Sequence, residues 1–258
     1  MAPFARHPIR FVLAAVLALA AELPGAQADP RSDFLAGATK ACPGCDLSGL
    51  SFKRRDLTGA DLSGANLKDA NFHDAKLTGA RLSGADLSGA NLNKAALARA
   101  DLTGTTLRGA LLYAANLDQA KLAGADLTEA LMGTARLTRS DLSGAKLTDV
   151  DLRKGRLAEA NLTGADLTGT AFDLAFLRGA RLNGAALIET RLIGTELVDA
   201  VLVGADLSEA DARGANFRGA DLSRAKLNRT NLLRANLYET RLDDAVFAET
   251  TMPDGTTR

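Results

Sequence analysis

The apolar positions of this chain fall on a ruler of five. From Leu47 to Met252 every fifth residue is a centre, 42 in all: 34 Leu, five Phe (Phe52, Phe72, Phe172, Phe217 and Phe247), two Met (Met132 and Met252) and Ala212. Two residues ahead of each centre stands a small residue, most often Ala, with Leu50, Arg55 and Val150 as the larger exceptions. Asp or Asn often precedes the centre and Ser or Thr often follows it. A helix, turning about 100° per residue, would spread such centres around its whole circumference. A plain strand, whose side chains alternate with period two, would send successive centres to opposite faces. All the centres point inward only if the backbone turns a corner within every pentapeptide. Repeated corners make a coil, and stacked coils make a β-solenoid.

A longer period sets the number of sides. Gly occupies 44, 64, 84, 104, 124, 144, 164, 184 and 204, so four pentapeptides make one turn. One of the four corners is expected to need positive φ or close approach, which Gly permits without steric cost. Charge repeats at the same spacing through Asp61, Arg81, Asp101, Lys121 and Asp141, and later through Asp221 and Arg241. Stacked about 4.8 Å apart, these side chains would alternate in sign and so favour one register.

Ala60-Asp61-Leu62-Ser63-Gly64 and Ala65-Asn66-Leu67 resemble the A-(D/N)-L-x-x unit of the pentapeptide-repeat family, and the likeness runs through about four fifths of the chain. The resemblance implies an all-β fold, a right-handed quadrilateral parallel β-helix of about ten coils over residues 46–252, filled by the centres and the small residues before them. Such a rod would be on the order of 50 Å long. The family also includes DNA mimics that bind type II topoisomerases through strongly negative faces, and members that pair through terminal coils. An end-to-end homodimer through the C-terminal coil is therefore one expectation here.

Composition narrows the function. The chain has 258 residues, 47% of them hydrophobic, with 31 basic and 31 acidic side chains and no Trp. It is neither a disordered tail nor a polybasic nucleic-acid binder, so no nucleic-acid partner is expected. Residues 1–28 read as a cleaved signal peptide: Arg6 and Arg10, an apolar run of eleven, then Ala26 to Ala28 as the cleavage tripeptide. The apolar run is far shorter than the roughly 20 residues that span a bilayer. A periplasmic or secreted protein with no integral membrane segment is expected, carrying 29 basic and 30 acidic residues once Arg6, Arg10 and Glu22 leave with the leader. Residues 29–45 are assigned to an N-terminal cap, with a short amphipathic helix over Ser32–Lys40, and 253–258 to a C-terminal tail that leaves its end bare.

Few residues offer chemistry. Cys42-Pro43-Gly44-Cys45 is a C-x-x-C pair, which in an exported chain suggests thiol-disulfide exchange. Its register favours a capping disulfide instead, because Cys42 takes a centre position and Cys45 the small inward one. His73 lies at an outward position, the glycines recur with the coil rather than opening a phosphate-binding helix, and no carboxylates converge on a metal. No catalysis, cofactor or metal is expected. Two surface departures stand out. Ile188, Ile193, Val198 and Val203 replace the polar residue after four successive centres, forming an apolar belt around one coil; Leu111, Tyr113 and Leu131 fall on one side of neighbouring coils. The second group is a candidate contact patch for an unidentified protein partner. A binding or scaffold role follows, with DNA mimicry and C-x-x-C redox chemistry as alternatives.

Overall fold

The computed structural model describes residues 29–258; the predicted leader and its cleavage site lie outside the described residues. The chain winds into a four-sided β-helix. From Ala41↔Asp61 to Asn231↔Thr251, each residue just before a centre forms a parallel bridge with the residue twenty positions on. These bridges fall into four columns. Face 1 carries Asp61, Arg81 and Asp101; face 2 Asn66, Asp86 and Thr106; face 3 Asn91, Leu111 and Leu131; face 4 Ala96, Asn116 and Arg136. A side is one bridge long rather than an extended strand, because the corner consumes most of each pentapeptide.

One pentapeptide shows how the backbone is satisfied. Leu62 and Gly64 donate from their amides to the carbonyls of Arg81 and Ser83 one coil on, at 2.8 and 2.9 Å. Arg81 donates back to Ala60 at 2.8 Å, and Ala65 closes the corner on the Leu62 carbonyl at 3.1 Å. The side-chain motif serves the same corner: Asp61 accepts from the Ser63 amide at 3.2 Å and the Ser63 hydroxyl at 2.7 Å. Asp or Asn before the centre and Ser or Thr after it are therefore a local turn device.

Leu, Phe and Ala fill the interior, almost all of them fully buried. Threonine in the small inward position remains satisfied there. Thr105, Thr170, Thr195 and Thr230 each donate a hydroxyl to a carbonyl of the preceding coil, at 2.9, 2.5, 2.8 and 2.7 Å.

The corners correct one expectation. Positive φ occurs at all four, not at one: Lys154, Glu159 and Asp149 adopt φ of 58°, 58° and 56°, beside Gly164 at 65°. Each non-glycine corner accepts a conformation that L-residues rarely use, held by the inter-coil bond of its own amide, as in Lys154 to Asp173 at 3.0 Å. At Gly44, Gly64, Gly84 and Gly104 an added Cβ would meet nothing within 4 Å, so that column relieves backbone strain and does not make room.

The two ends are built differently. At the N-terminus, helix α1 (Pro30–Ala36) lies over the first coil, slightly earlier than the sequence pattern suggested. Asp29 caps it, accepting from the Arg31 amide, Pro30 occupies its first turn and Gly37 ends it at φ 80°. Phe34 is fully buried, edge-on to Phe52 with ring centroids 5.9 Å apart, and Phe52 stacks on Phe72 at 5.0 Å. At the other end the expected bare tail is instead a hairpin. Thr251 and Thr257 form an antiparallel bridge, Thr250 and Arg258 exchange two hydrogen bonds of 2.9 Å, and the Arg258 guanidinium lies 4.2 Å from the Phe247 ring centroid.

Candidate interaction surface

Register decides what each face presents. Because an outward position recurs every twenty residues, any large apolar side chain there stands in a column of Asp, Asn, Arg and Thr. Leu111, Tyr113 and Leu131 do so on face 3. They line one hollow together with Asn93, Gly133, Thr134, Asp151, Arg153 and Lys154. Tyr113 is 54% exposed and Leu131 49%, whereas Leu111 is half-buried beneath them. Glycine sets the position of the tyrosine ring: a Cβ on Gly133 would stand 3.4 Å from a Tyr113 ring carbon, so the ring rests on the bare backbone one coil on.

A second apolar group lies around the corner. Leu174 (52% exposed) occupies a positive-φ corner and leans over Gly194, and Phe176 (50%) begins face 4. Phe176 and Arg178 line a hollow with Thr138, Lys154, Arg156 and Ala158, and a further one with Glu196, Val198, Asp199 and Arg218. Lys154 joins the first hollow to the second, and Phe176 with Arg178 joins the second to the third. A continuous groove thus crosses the edge between faces 3 and 4. Leu174 and Phe176 were missed in the sequence, although their outward register is readable there.

The belt of Ile188, Ile193, Val198 and Val203 lies on one coil but makes no single surface. Successive pentapeptides point the four side chains in four directions, and each is half-buried by its neighbours. Val198 alone belongs to the groove.

Charge is sorted by face more strongly than the near-zero net charge suggested. Face 2 and its corner carry Asp46, Asp69, Asp86, Asp126, Glu129, Asp149, Asp166, Glu189, Asp206, Glu209 and Glu249 against Lys68, Arg108, Lys146, Lys226 and Arg229. Face 1 keeps the alternating ladder. Arg81 pairs with Asp61, Asn161 donates to Asp141 at 2.8 Å, and Arg241 lies 3.3 Å from Asp221. The Arg81 guanidinium, helped by the Ser63 hydroxyl, holds the Asp61 carboxyl down at about 2. Asp221 is also lowered, chiefly by the Ser223 hydroxyl.

Cys42 and Cys45 form a disulfide with Cα atoms 5.4 Å apart. Cys42 is fully buried under α1, and its sulfur lies 3.5 Å from the Pro30 carbonyl oxygen. Exchange requires an accessible sulfur, so this placement suits a staple better than a redox centre. His73 is half-buried, its amide donating to the Asn71 side chain at 3.0 Å. Among the described residues no group of His, Cys, Asp and Glu is arranged to hold a metal, and no helix is long and apolar enough to cross a membrane.

The comparisons agree with the winding. The family model described as pentapeptide repeats matches in eight copies across residues 45–84, 80–119, 115–153, 145–184, 180–219 and 215–252. No curated protein matches the chain. Among solved structures, HetL, a pentapeptide repeat protein involved in heterocyst differentiation regulation in the cyanobacterium Nostoc sp. strain PCC 7120, is 32% identical. That alignment covers 88% of this chain and 98% of HetL, with a TM-score of 0.56. QnrB1, a plasmid-mediated fluoroquinolone resistance protein, is 18% identical over 80% of this chain and 91% of its own, with a TM-score of 0.44. A pentapeptide repeat protein of the Arabidopsis thaliana thylakoid lumen is 34% identical over 46% of this chain and 72% of its own, with a TM-score of 0.24.

Proposed function

This chain belongs to the pentapeptide-repeat family, and from that premise we propose that it is a non-catalytic binding or scaffold protein, exported to the periplasm or beyond, that acts through the faces of its β-helix. The observation that carries this reading is the apolar hollow of Leu111, Tyr113 and Leu131 on an otherwise polar, regularly patterned surface. Solitary exposed apolar residues are ordinary, but a contiguous group rimmed by polar side chains marks a contact site. The disulfide and the leader-like residues 1–28 support export.

In the producing cell, a photo-crosslinking residue at Thr134, on the rim of the hollow, should trap a discrete protein. The triple substitution Leu111→Ser, Tyr113→Ser, Leu131→Ser should abolish that product without changing the melting temperature by more than a few degrees. An unchanged crosslinking pattern would refute the reading.

Two further readings rest on specific observations. The acidic excess on face 2 favours a cationic partner and, with the family's DNA mimics, a topoisomerase inhibitor or protector. A DNA gyrase supercoiling assay separates this from the first reading, since only the mimic alters supercoiling. The half-exposed Leu237, Leu242 and Phe247 at the C-terminal end favour pairing of two copies there. Sedimentation showing monomer alone at high concentration would exclude that pairing.

A further inference from the structure

We propose that the groove running from Leu111, Tyr113 and Leu131 past Lys154 to Phe176 and Val198 binds an extended, acidic polypeptide segment that carries two apolar anchor side chains. This rests on the binding-protein reading above and assigns its partner a chemistry.

The groove is apolar at its two ends and cationic between them. Tyr113 and Leu131 form one anchor pocket, and Phe176 with Val198 forms the other. Arg153, Lys154, Arg156 and Arg178 lie between or beside the pockets, and Arg218 lies at the far rim. Arg153 is neutralised by a two-pronged bond to Asp151 at 2.8 and 2.6 Å, and Arg178 approaches Asp199 at 3.6 Å. Lys154, Arg156 and Arg218 have no carboxylate within 4.0 Å among the described residues, so three cations stand ready for an incoming anion.

Geometry and charge pattern select a polypeptide. The two pockets are three coils apart, about 14 Å along the axis at a coil spacing near 4.8 Å, which about four to six residues of extended chain would span once the corner between the two faces is rounded. The flanks of the β-helix have no free ladder edge, because their amides and carbonyls are used by the coils above and below. A partner is therefore read by its side chains, not by strand addition. Asp151, Glu196 and Asp199 interrupt the cations, which opposes the evenly charged backbone of a nucleic acid. The two aromatic anchors, Tyr113 and Phe176, stand three coils apart, too widely spaced to stack successive bases. Face 2, opposite face 4, carries the acidic excess, so a negatively charged partner is steered toward the groove side.

The test is selection of a displayed library of random twelve-residue peptides on the intact protein, followed by affinity measurement of the enriched sequences. Enriched peptides should have net negative charge and two large apolar residues four to six positions apart. Lys154→Glu with Arg156→Glu should weaken them at least tenfold, and Phe176→Ser about as much. Both acidic replacements are native to equivalent positions, since Glu159 occupies the same kind of corner as Lys154 and Glu196 the same column as Arg156, so the variants should fold.

Enrichment of neutral or basic peptides, of none, or of peptides that bind the double variant within twofold would overturn the proposal. So would a (dT)12 oligonucleotide or anionic phosphatidylglycerol vesicles binding in its place with the same sensitivity to the variants. Failure of the peptides while the triple serine variant still loses its crosslink would sink only this inference. Retention of the crosslink by that variant would sink the functional reading instead.

Discussion

The N-terminal and C-terminal ends of this β-helix face the same difficulty with opposite hydrogen-bonding groups. Every pentapeptide sends two amides up to the next coil and receives one donor from it, as at Leu62, Gly64 and Ala60. The first coil therefore offers an excess of carbonyls and the last an excess of amides. At the N-terminus cations answer the carbonyls: Arg31 donates to Asp46 at 2.7 Å and Lys40 to Thr58 at 3.2 Å. Arg55 bonds the Phe34 and Leu35 carbonyls at the C-terminal part of α1 and lies 5.1 and 5.7 Å from the Phe34 and Phe52 ring centroids. At the C-terminus the amides of Leu237, Glu239, Leu242, Asp244, Phe247 and Glu249 bond no group among the described residues. The hairpin covers one side only. A helix that brings cations and an aromatic plug closes an end; a hairpin of eight or so residues leaves it half open.

The sharpest way to break this contrast is to remove one phenylalanine from each end. Phe52 is buried between Phe34 and Phe72, so Phe52→Ala should cost about 3 to 5 kcal/mol in denaturant unfolding. Phe247 is only partly covered, and Phe247→Ala should cost roughly 1 to 2 kcal/mol. Equal losses would mean that the two ends are equally closed. Next in size is the staple. Cys42 and Cys45 are three positions apart, a loop short enough that Cys42→Ser with Cys45→Ser should cost about 2 kcal/mol. Hydrogen exchange in that variant should rise around α1 and the first coil and stay unchanged near Phe247. A uniform rise would show that the staple acts on the whole rod.

Acid gives the smallest effect. The Asp61 carboxyl titrates lower in the folded chain than in the unfolded one, so its contribution is complete above about pH 4 and disappears as the pH falls through about 2. Asp61→Asn should flatten that acid loss, by little, because the partner Arg81 side chain is 66% exposed and screened by solvent. Carboxyl NMR titration that finds Asp61 near the ordinary aspartate value would remove the pairing.

Much of this architecture is legible in the sequence. The five-residue ruler and the glycine column suffice for four sides, because burial and backbone pairing both repeat with the coil. The inward register of Cys42 likewise follows from counting alone. Three things did not follow. The corners at Lys154 and Glu159 hide their positive φ, since an inter-coil bond holds a conformation that their own propensities disfavour. The hairpin at Thr251 to Arg258 depends on a cation meeting Phe247, a contact with no periodic signature. The groove depends on residues from separate coils, Leu131, Lys154 and Phe176, and the acidic surface on summing one column in four, so a chain-wide net charge conceals both.

The bridge of each residue to its neighbour twenty places on also limits how such a gene lengthens or shrinks. Duplicating a twenty-residue block inserts a storey and leaves every wall in line. Inserting a single pentapeptide between Lys154 and Phe176 keeps the interior intact yet rotates everything downstream by a quarter turn, carrying Phe176 to the next wall and away from Lys154. Evolution of the surface is thereby coupled to copy number modulo four, while evolution of the core is not.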